Sequence, residues 1–192
     1  SWRERFEEYL QRNVLATQRL LERSVAEGVA RFVYASSSSI YGNAERYPVE
    51  ESMRPAPFSP YGVTKLAGEH MTSLYAANFG LSTVSLRYFT VFGPGQRPDM
   101  AIHRMVEATL NHGTFPLFGD GSQVRDFTYV GDVVRANLKA AAADIEPGAV
   151  INIAGGGSTT VAELIDAVGT AVGRPVPIEH RPAQPGDVAR TG

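Results

Sequence analysis

At 192 residues the chain is long enough for one ordinary domain or parts of two, and an apolar fraction of 43% suits a buried core. Charged residues at 20% and a net charge of −2 give no electrostatic reason to expect nucleic acid or a membrane surface as a partner. The absence of cysteine excludes disulfides, thiolate nucleophiles and zinc–thiolate sites, and it fits a reducing cytoplasm.

Residues 1–27 read as one amphipathic helix. Phe6, Tyr9, Leu10, Val14, Thr17, Leu20, Leu21 and Val25 recur at helical spacing, and Gly28 ends the pattern. Asn13 sits on or beside that stripe, either as a polar residue at its edge or as a group facing a ligand. A strand is expected over 31–35, where an apolar, β-prone run ends in four serines, Ser36 to Ser39. A buried strand that opens into a polar site at its carboxyl end has this form. The loop to residue 60 carries Pro48, Pro55, Pro57 and Pro60, and the next helix runs from about 60 to 78, closed by Asn78-Phe79-Gly80.

Tyr61 and Lys65 lie four apart near the start of that helix, on one face. An ammonium beside a phenol favours its ionised form and lowers its pKa from about 10, which suits proton transfer. Tyr-x-x-x-Lys alone occurs often by chance and reads as a surface helix; the serines 24 residues upstream of the tyrosine change that reading.

Thr83 to Tyr88 is the next strand, and this alternation of helix and strand is the rhythm of a parallel α/β sheet. Beyond Thr90 come a Gly/Pro loop over 91–98, a helix from about Met100 to Asn111, a short strand at 116–118 and a turn at Gly119-Asp120-Gly121. A strand over 124–130 follows, then a helix capped by Asp132 and running to about Ala143, and a strand at 150–153. Thr160 and Glu163 form a capping box for a helix over 161–172. Gly155-Gly156-Gly157 follows a strand as a dinucleotide fingerprint would, but Thr160 occupies the place of the last glycine, so the turn reads as structural. His70, His103, His112 and His180 are scattered without metal-ligand spacing, and no metal site is expected.

A strand-end hydroxyl with a Tyr/Lys helix resembles the Ser-Tyr-Lys arrangement of the short-chain dehydrogenase/reductases. Ser36-Ser37-Ser38-x-x-Tyr41-Gly42 followed by Pro60-Tyr61-Gly62-x-Thr64-Lys65 resembles the extended branch, the NAD-dependent sugar-nucleotide epimerases and dehydratases, over essentially the whole chain. The resemblance implies an α/β fold: a partial Rossmann-like parallel sheet with helices over residues 1–90, and a smaller α/β domain binding a UDP-sugar over 91–192, interwoven with the first. The family's glycine-rich phosphate loop lies in its first βα unit. By resemblance this chain begins after that unit and stops before the family's last helices, as a fragment of a longer enzyme.

The resemblance also assigns roles. It makes Tyr61 the base at the sugar 4-hydroxyl, Lys65 the group that lowers the tyrosine's pKa and grips the nicotinamide ribose, and Ser37 a hydrogen-bonding partner of the same hydroxyl. Asn13, Ser36, Tyr61, Lys65, Tyr88 and Phe89 are the expected NAD contacts. Ser37, Ser38, Thr90, Arg97, Asp99, Met100, Pro116, Phe118, Arg125 and Asp187 are the expected UDP-sugar contacts. Family dehydratases have Thr-Asp-Glu at the strand end and decarboxylases Thr-Ser-Glu; Ser37-Ser38-Ser39 has no carboxylate, which points to simple epimerisation. Thr90, with Gly95-Gln96-Arg97-Pro98-Asp99-Met100-Ala101 and Ser1-Trp2, resembles the UDP-glucuronate 4-epimerases; hexose epimerases usually have asparagine at the Thr90 position and arginine at that of Gln184. Arg97 reads either as a solvated loop charge or, the reading favoured here, as a clamp on a carboxylate or phosphate. UDP-glucose epimerase, UDP-glucuronate decarboxylase and a non-catalytic NAD or nucleotide binder are the alternatives. The expected partners are a UDP-sugar and a second copy in a homodimer, with no nucleic acid and no membrane.

Overall fold

The structure, a computed structural model, describes residues 6–182 and 190–191. The first helical run is continuous from α1 (Phe6–Tyr9) through a π-helical turn (Leu10–Leu15) into α2 (Ala16–Ala26). The apolar stripe therefore does not keep one pitch: the wider turn resets the facing of the residues before it. Leu21 is the anchor of this run, fully buried against Tyr75 and Leu81.

Strand β1 (Phe32–Ser37) carries the chain two serines further than its apolar run suggests, and a single 3-10 turn, Ser38–Ile40, follows. Helix α3 (Pro60–Phe79) begins where local chemistry dictates. Ser59 accepts from the Gly62 N–H, and Pro60 occupies the first turn, where a missing N–H costs nothing. Strands β1, β2 (Thr83–Tyr88) and β7 (Ala149–Ile153) form one parallel sheet in the order β1-β2-β7. Helices α2 and α3 pack together beside β1, and α5 (Val130–Ala142) also packs against β1 and β2. Val84, Leu86 and Ala140 make the apolar contact between the sheet and α5.

A second packed region joins α4 (Ala101–Leu110), β4 (Phe115–Phe118), α6 (Val161–Val172) and β9 (Ile178–Arg181). Its core is hydrocarbon: Met105, Phe115, Leu117, Leu164, Ile165, Val168 and Val176. The expected capping box is present, Thr160 and Glu163 bonding reciprocally at the start of α6.

Three expectations change. The loop after Thr90 contains a strand, β3 (Thr90–Phe92), paired in parallel with β6 (Phe127–Tyr129). The single strand expected over 124–130 is two, β5 (Val124–Arg125) and β6, which join different sheets; β5 pairs with β8 (Thr159–Thr160) and β10 (Arg190–Thr191). The break falls at Asp126, whose carboxylate accepts from the N–H groups of Gly155 and Gly156 at 2.7 and 3.1 Å, so the glycine turn wraps a side chain of this chain. Asp132 lies inside the first turn of α5 paired with Arg135, and no side chain caps that helix. Both α5 and β7 lie beyond residue 90 yet pack with the first sheet, so the chain crosses between the two regions more than once.

Candidate active site

Parallel pairing sets Ser37 opposite Tyr88 and ends β1 and β2 side by side. Open α/β sheets bind ligands just outside such carboxyl ends. A cleft of about 940 Å³ opens there, walled by Ser37, Ser38 and Ser39, by Tyr61, by the segment from Tyr88 to Arg97, by Asp99 and Met100, and by Tyr9 and Asn13 of the first helical run.

Tyr61 reaches this cleft because α3 starts hard against the serine turn. A Cβ on Gly62 would lie 2.6 Å from the Ser39 carbonyl oxygen, so only glycine permits the approach. The Ser37 hydroxyl accepts from the Ser39 N–H at 3.2 Å, and Ser37 and Tyr61 both line the cleft. Tyr61 is 37% exposed to the cleft, yet its surroundings withdraw the phenol from water. Burial pushes its pKa above the ordinary tyrosine value; the Ser37 hydrogen bond and the Arg97 charge pull the other way.

Lys65 stands beside this phenol. Its ammonium lies 5.7 Å from the Tyr61 ring centroid and donates to the Ala35 carbonyl at 2.8 Å. Burial lowers the lysine's own pKa. The Tyr61 pKa therefore lies above the ordinary tyrosine value, because desolvation outweighs the Ser37 and Arg97 contributions.

Asn13 does face the site. The π-helical turn directs its amide to Thr64 Oγ1 at 3.0 Å, between Tyr61 and Lys65 in sequence, and the same run sets the Tyr9 ring edge-on to Tyr61 with centroids 6.5 Å apart. Tyr88, Phe89, Thr90, Ser38, Asp99 and Met100 line the cleft. Arg97 lines it too, 74% exposed at its side chain, with Nε and Nη2 each 3.1 Å from the two Asp99 carboxylate oxygens. Gln96 braces this loop: its amide donates to Val91 O at 3.0 Å and accepts from the His103 N–H at 3.1 Å.

Other expected contacts lie elsewhere. Ser36 is 2% exposed, and its hydroxyl donates to Glu69 at 2.5 Å; strand alternation turns it toward α3, so its side chain is committed to the core instead of a cofactor. Pro116, Phe118 and Arg125 sit on β4 and β5 and do not line this cleft. Arg125 donates to its neighbour's carbonyl, Val124 O, at 2.9 Å. Asp187 lies outside the described residues, as do Ser1 and Trp2. Among the described residues no cluster could hold a metal ion, and no helix is long and apolar enough to cross a membrane.

The sequence reading missed a buried polar network below the cleft. Glu69 and Arg87 form a two-point ion pair, with both N···O distances 2.9 Å, and Arg87 also donates to Tyr41 Oη at 2.7 Å and Glu51 O at 3.1 Å. Tyr41 in turn donates to Asn152 at 2.7 Å, tying β7 into the same network. A glutamate within a largely apolar stretch of α3 was the available signal.

A family model described as the NAD dependent epimerase/dehydratase family matches residues 1–154. YtcB of Bacillus subtilis (strain 168), described as an uncharacterized UDP-glucose epimerase, is 41% identical over 174 residues, covering 91% of this chain and 55% of its own length. MoeE5 in complex with UDP-glucuronic acid and NAD superposes with a TM-score of 0.91 at 48% identity, covering 97% of this chain and 62% of that one. UDP-glucuronic acid 4-epimerase from Bacillus cereus, in complex with UDP-glucuronic acid and NAD, superposes with a TM-score of 0.89 at 39% identity, covering 95% of this chain and 58% of that one. The chain spans little more than half the length of the curated relatives it matches.

Proposed function

The chain belongs to the NAD dependent epimerase/dehydratase family, and on that premise we propose that the full-length protein is an NAD-dependent UDP-sugar 4-epimerase acting on UDP-glucuronate to give UDP-galacturonate. The observation that carries the reading is the convergence of Ser37, Tyr61 and Arg97 on one cleft at the carboxyl ends of β1 and β2.

The residues present fit a nicotinamide nucleotide. Lys65 gives one of its three donors to Ala35 O and has others to offer a ribose, while Tyr88 lines the cleft at the strand end. NAD, when bound, would supply the hydride acceptor and donor at sugar C4 and a positive charge of the kind that favours an ionised phenol. Tyr61 removes the proton of the 4-hydroxyl, and Ser37 orients that hydroxyl by a hydrogen bond. A transient 4-ketopyranose results, and its turning over before the hydride returns inverts C4. Pro116, Phe118, Arg125 and Asp187 extend the reading to the uridine diphosphate, with residues 91–192 mainly forming the substrate domain.

Arg97 supports the sugar acid. Its fork already holds the Asp99 carboxylate, which is the chemistry a glucuronate carboxylate needs. Oxidation at C4 makes UDP-glucuronate a β-keto acid prone to lose carbon dioxide. A clamp that keeps the C5–carboxylate bond near the ketone plane slows that loss, because the breaking bond then overlaps poorly with the carbonyl π system. UDP-glucose is the second reading, favoured by the description of YtcB and by a MoeE5 complex with UDP-glucose.

The test is to incubate the full-length protein with UDP-glucuronate, UDP-glucose and UDP-N-acetylglucosamine and to resolve the epimers by chromatography, with Arg97→Ala in parallel. Loss of the arginine is expected to cost roughly 10- to 1000-fold on UDP-glucuronate and far less on UDP-glucose. Equal losses on both would assign Arg97 to the shared diphosphate.

A further inference from the structure

We propose that Tyr34 is a positioning residue for Lys65, its ring face holding the ammonium in place beside Tyr61 and supporting its charge in a desolvated setting. The ammonium lies 5.3 Å from the Tyr34 ring centroid and 5.7 Å from that of Tyr61, so it sits between two aromatic rings. Cations within about 6 Å of a ring centroid are attracted by its quadrupole, most strongly where water is excluded. Tyr34 is 6% exposed, and burial disfavours ionisation of its phenol, so the ring stays neutral near Lys65.

The position of that ring is built into the fold. Tyr34 and Ser36 are two apart on β1 and both meet α3. The Tyr34 hydroxyl lies 3.5 Å from Lys65 O. It fits only because residue 68 is glycine: a Cβ there would stand 2.0 Å from the Tyr34 oxygen. Sheet and α3 together therefore fix the ring beside the lysine. Without the ring the ammonium would keep the Ala35 carbonyl but lose a face that compensates its burial. Of the other ionisable groups nearby, Tyr61 shares α3, and Glu69, one turn on, is turned to Arg87; Arg97 stands across the cleft.

The kinetic part of this inference rests on the epimerase reading; the titration below does not. In the full-length protein, lysines are dimethylated with ¹³C-formaldehyde and titrated by NMR, the Lys65 signal being identified by its loss in Lys65→Arg. Tyr34→Phe keeps the ring and is expected to leave the Lys65 titration and kcat/KM within about twofold of wild type. Tyr34→Leu is expected to raise the Lys65 acid constant roughly 2- to 30-fold, the span of a cation–π contact. kcat/KM is expected to fall by a similar factor, with its pH profile displaced in the same direction. Tyr34→Met, whose flexible chain fills the slot, carries the same expectation should the leucine variant not fold. A Lys65 titration unchanged by loss of the ring overturns the proposal, even if activity falls through repacking. Absence of turnover on every UDP-sugar in the wild type would overturn the epimerase reading and leave the titration to decide the role of Tyr34.

Discussion

Beneath the cleft, Glu69 and Arg87 are 3% and 5% exposed and face each other across α3 and β2, with Ser36, Tyr41 and Asn152 completing their hydrogen bonds. Between α4, α6 and β4 the core is made of Met105, Phe115, Leu117, Leu164, Ile165 and Val168, with no charge among them. The two regions solve the same packing problem with opposite materials. Hydrocarbon gives stability that tolerates repacking. A buried ion pair is seldom more stabilising than hydrocarbon of the same shape, but it joins elements at fixed distances. The polar core lies under the residues whose geometry bears on chemistry: Ser36 is chain neighbour to Ser37, Glu69 is one turn from Lys65, and Arg87 adjoins Tyr88. We read it as a device for register, and the contrast between the regions can be broken or sharpened by substitution.

The largest expected effect is on the polar core. Glu69→Ala strands a buried guanidinium and should cost about 3–5 kcal/mol, the range for breaking one side of a buried pair. A joint Glu69→Leu, Arg87→Met change should recover most of that stability in urea unfolding while activity stays low. Recovery of full activity along with stability would remove the register argument. Next in size is Tyr61→Phe, which leaves both cores untouched. Turnover in the full-length protein should fall at least ~100-fold, the general-base range, with the unfolding midpoint little changed. Near-normal turnover would reject Tyr61 as the base. The smallest effect is expected in the apolar region, where Thr160→Ala removes the capping box of α6. Stability should drop by about 1 kcal/mol, and kcat/KM should hold. A loss of activity matching that of the Glu69 variant would mean that the two regions are not energetically distinct.

Much of the fold was legible because its signals are local. Ser59, Pro60 and Gly80 bound α3, Thr160 and Glu163 open α6, and apolar runs mark β1, β2 and β7; each signal acts within a few residues. Ser37, Tyr61 and Arg97 were likewise readable as candidates, since motif spacing survives in the linear chain. The division of 124–130 at Asp126 was not, because its cause is the turn at Gly155 and Gly156, some thirty residues away. The strand at Thr90–Phe92 was hidden in a Gly/Pro loop and exists only through pairing with β6.

The sequence by itself marked most of the helices, the strands of the first sheet and the side chains that are candidates for chemistry. Tertiary structure alone decided what those side chains do. Ser36 and Ser37 are adjacent and chemically identical, yet one donates to Glu69 in the core and the other faces the cleft, because strand geometry points neighbours to opposite sides. Spacing set Lys65 near Tyr61, but whether it tunes the phenol depends on distance and solvent. In the folded chain desolvation wins, and the ammonium lies between Tyr34 and Tyr61, beside the Ala35 carbonyl. Burial and dielectric are properties of packed neighbours distant in sequence, so no local pattern of residues encodes them.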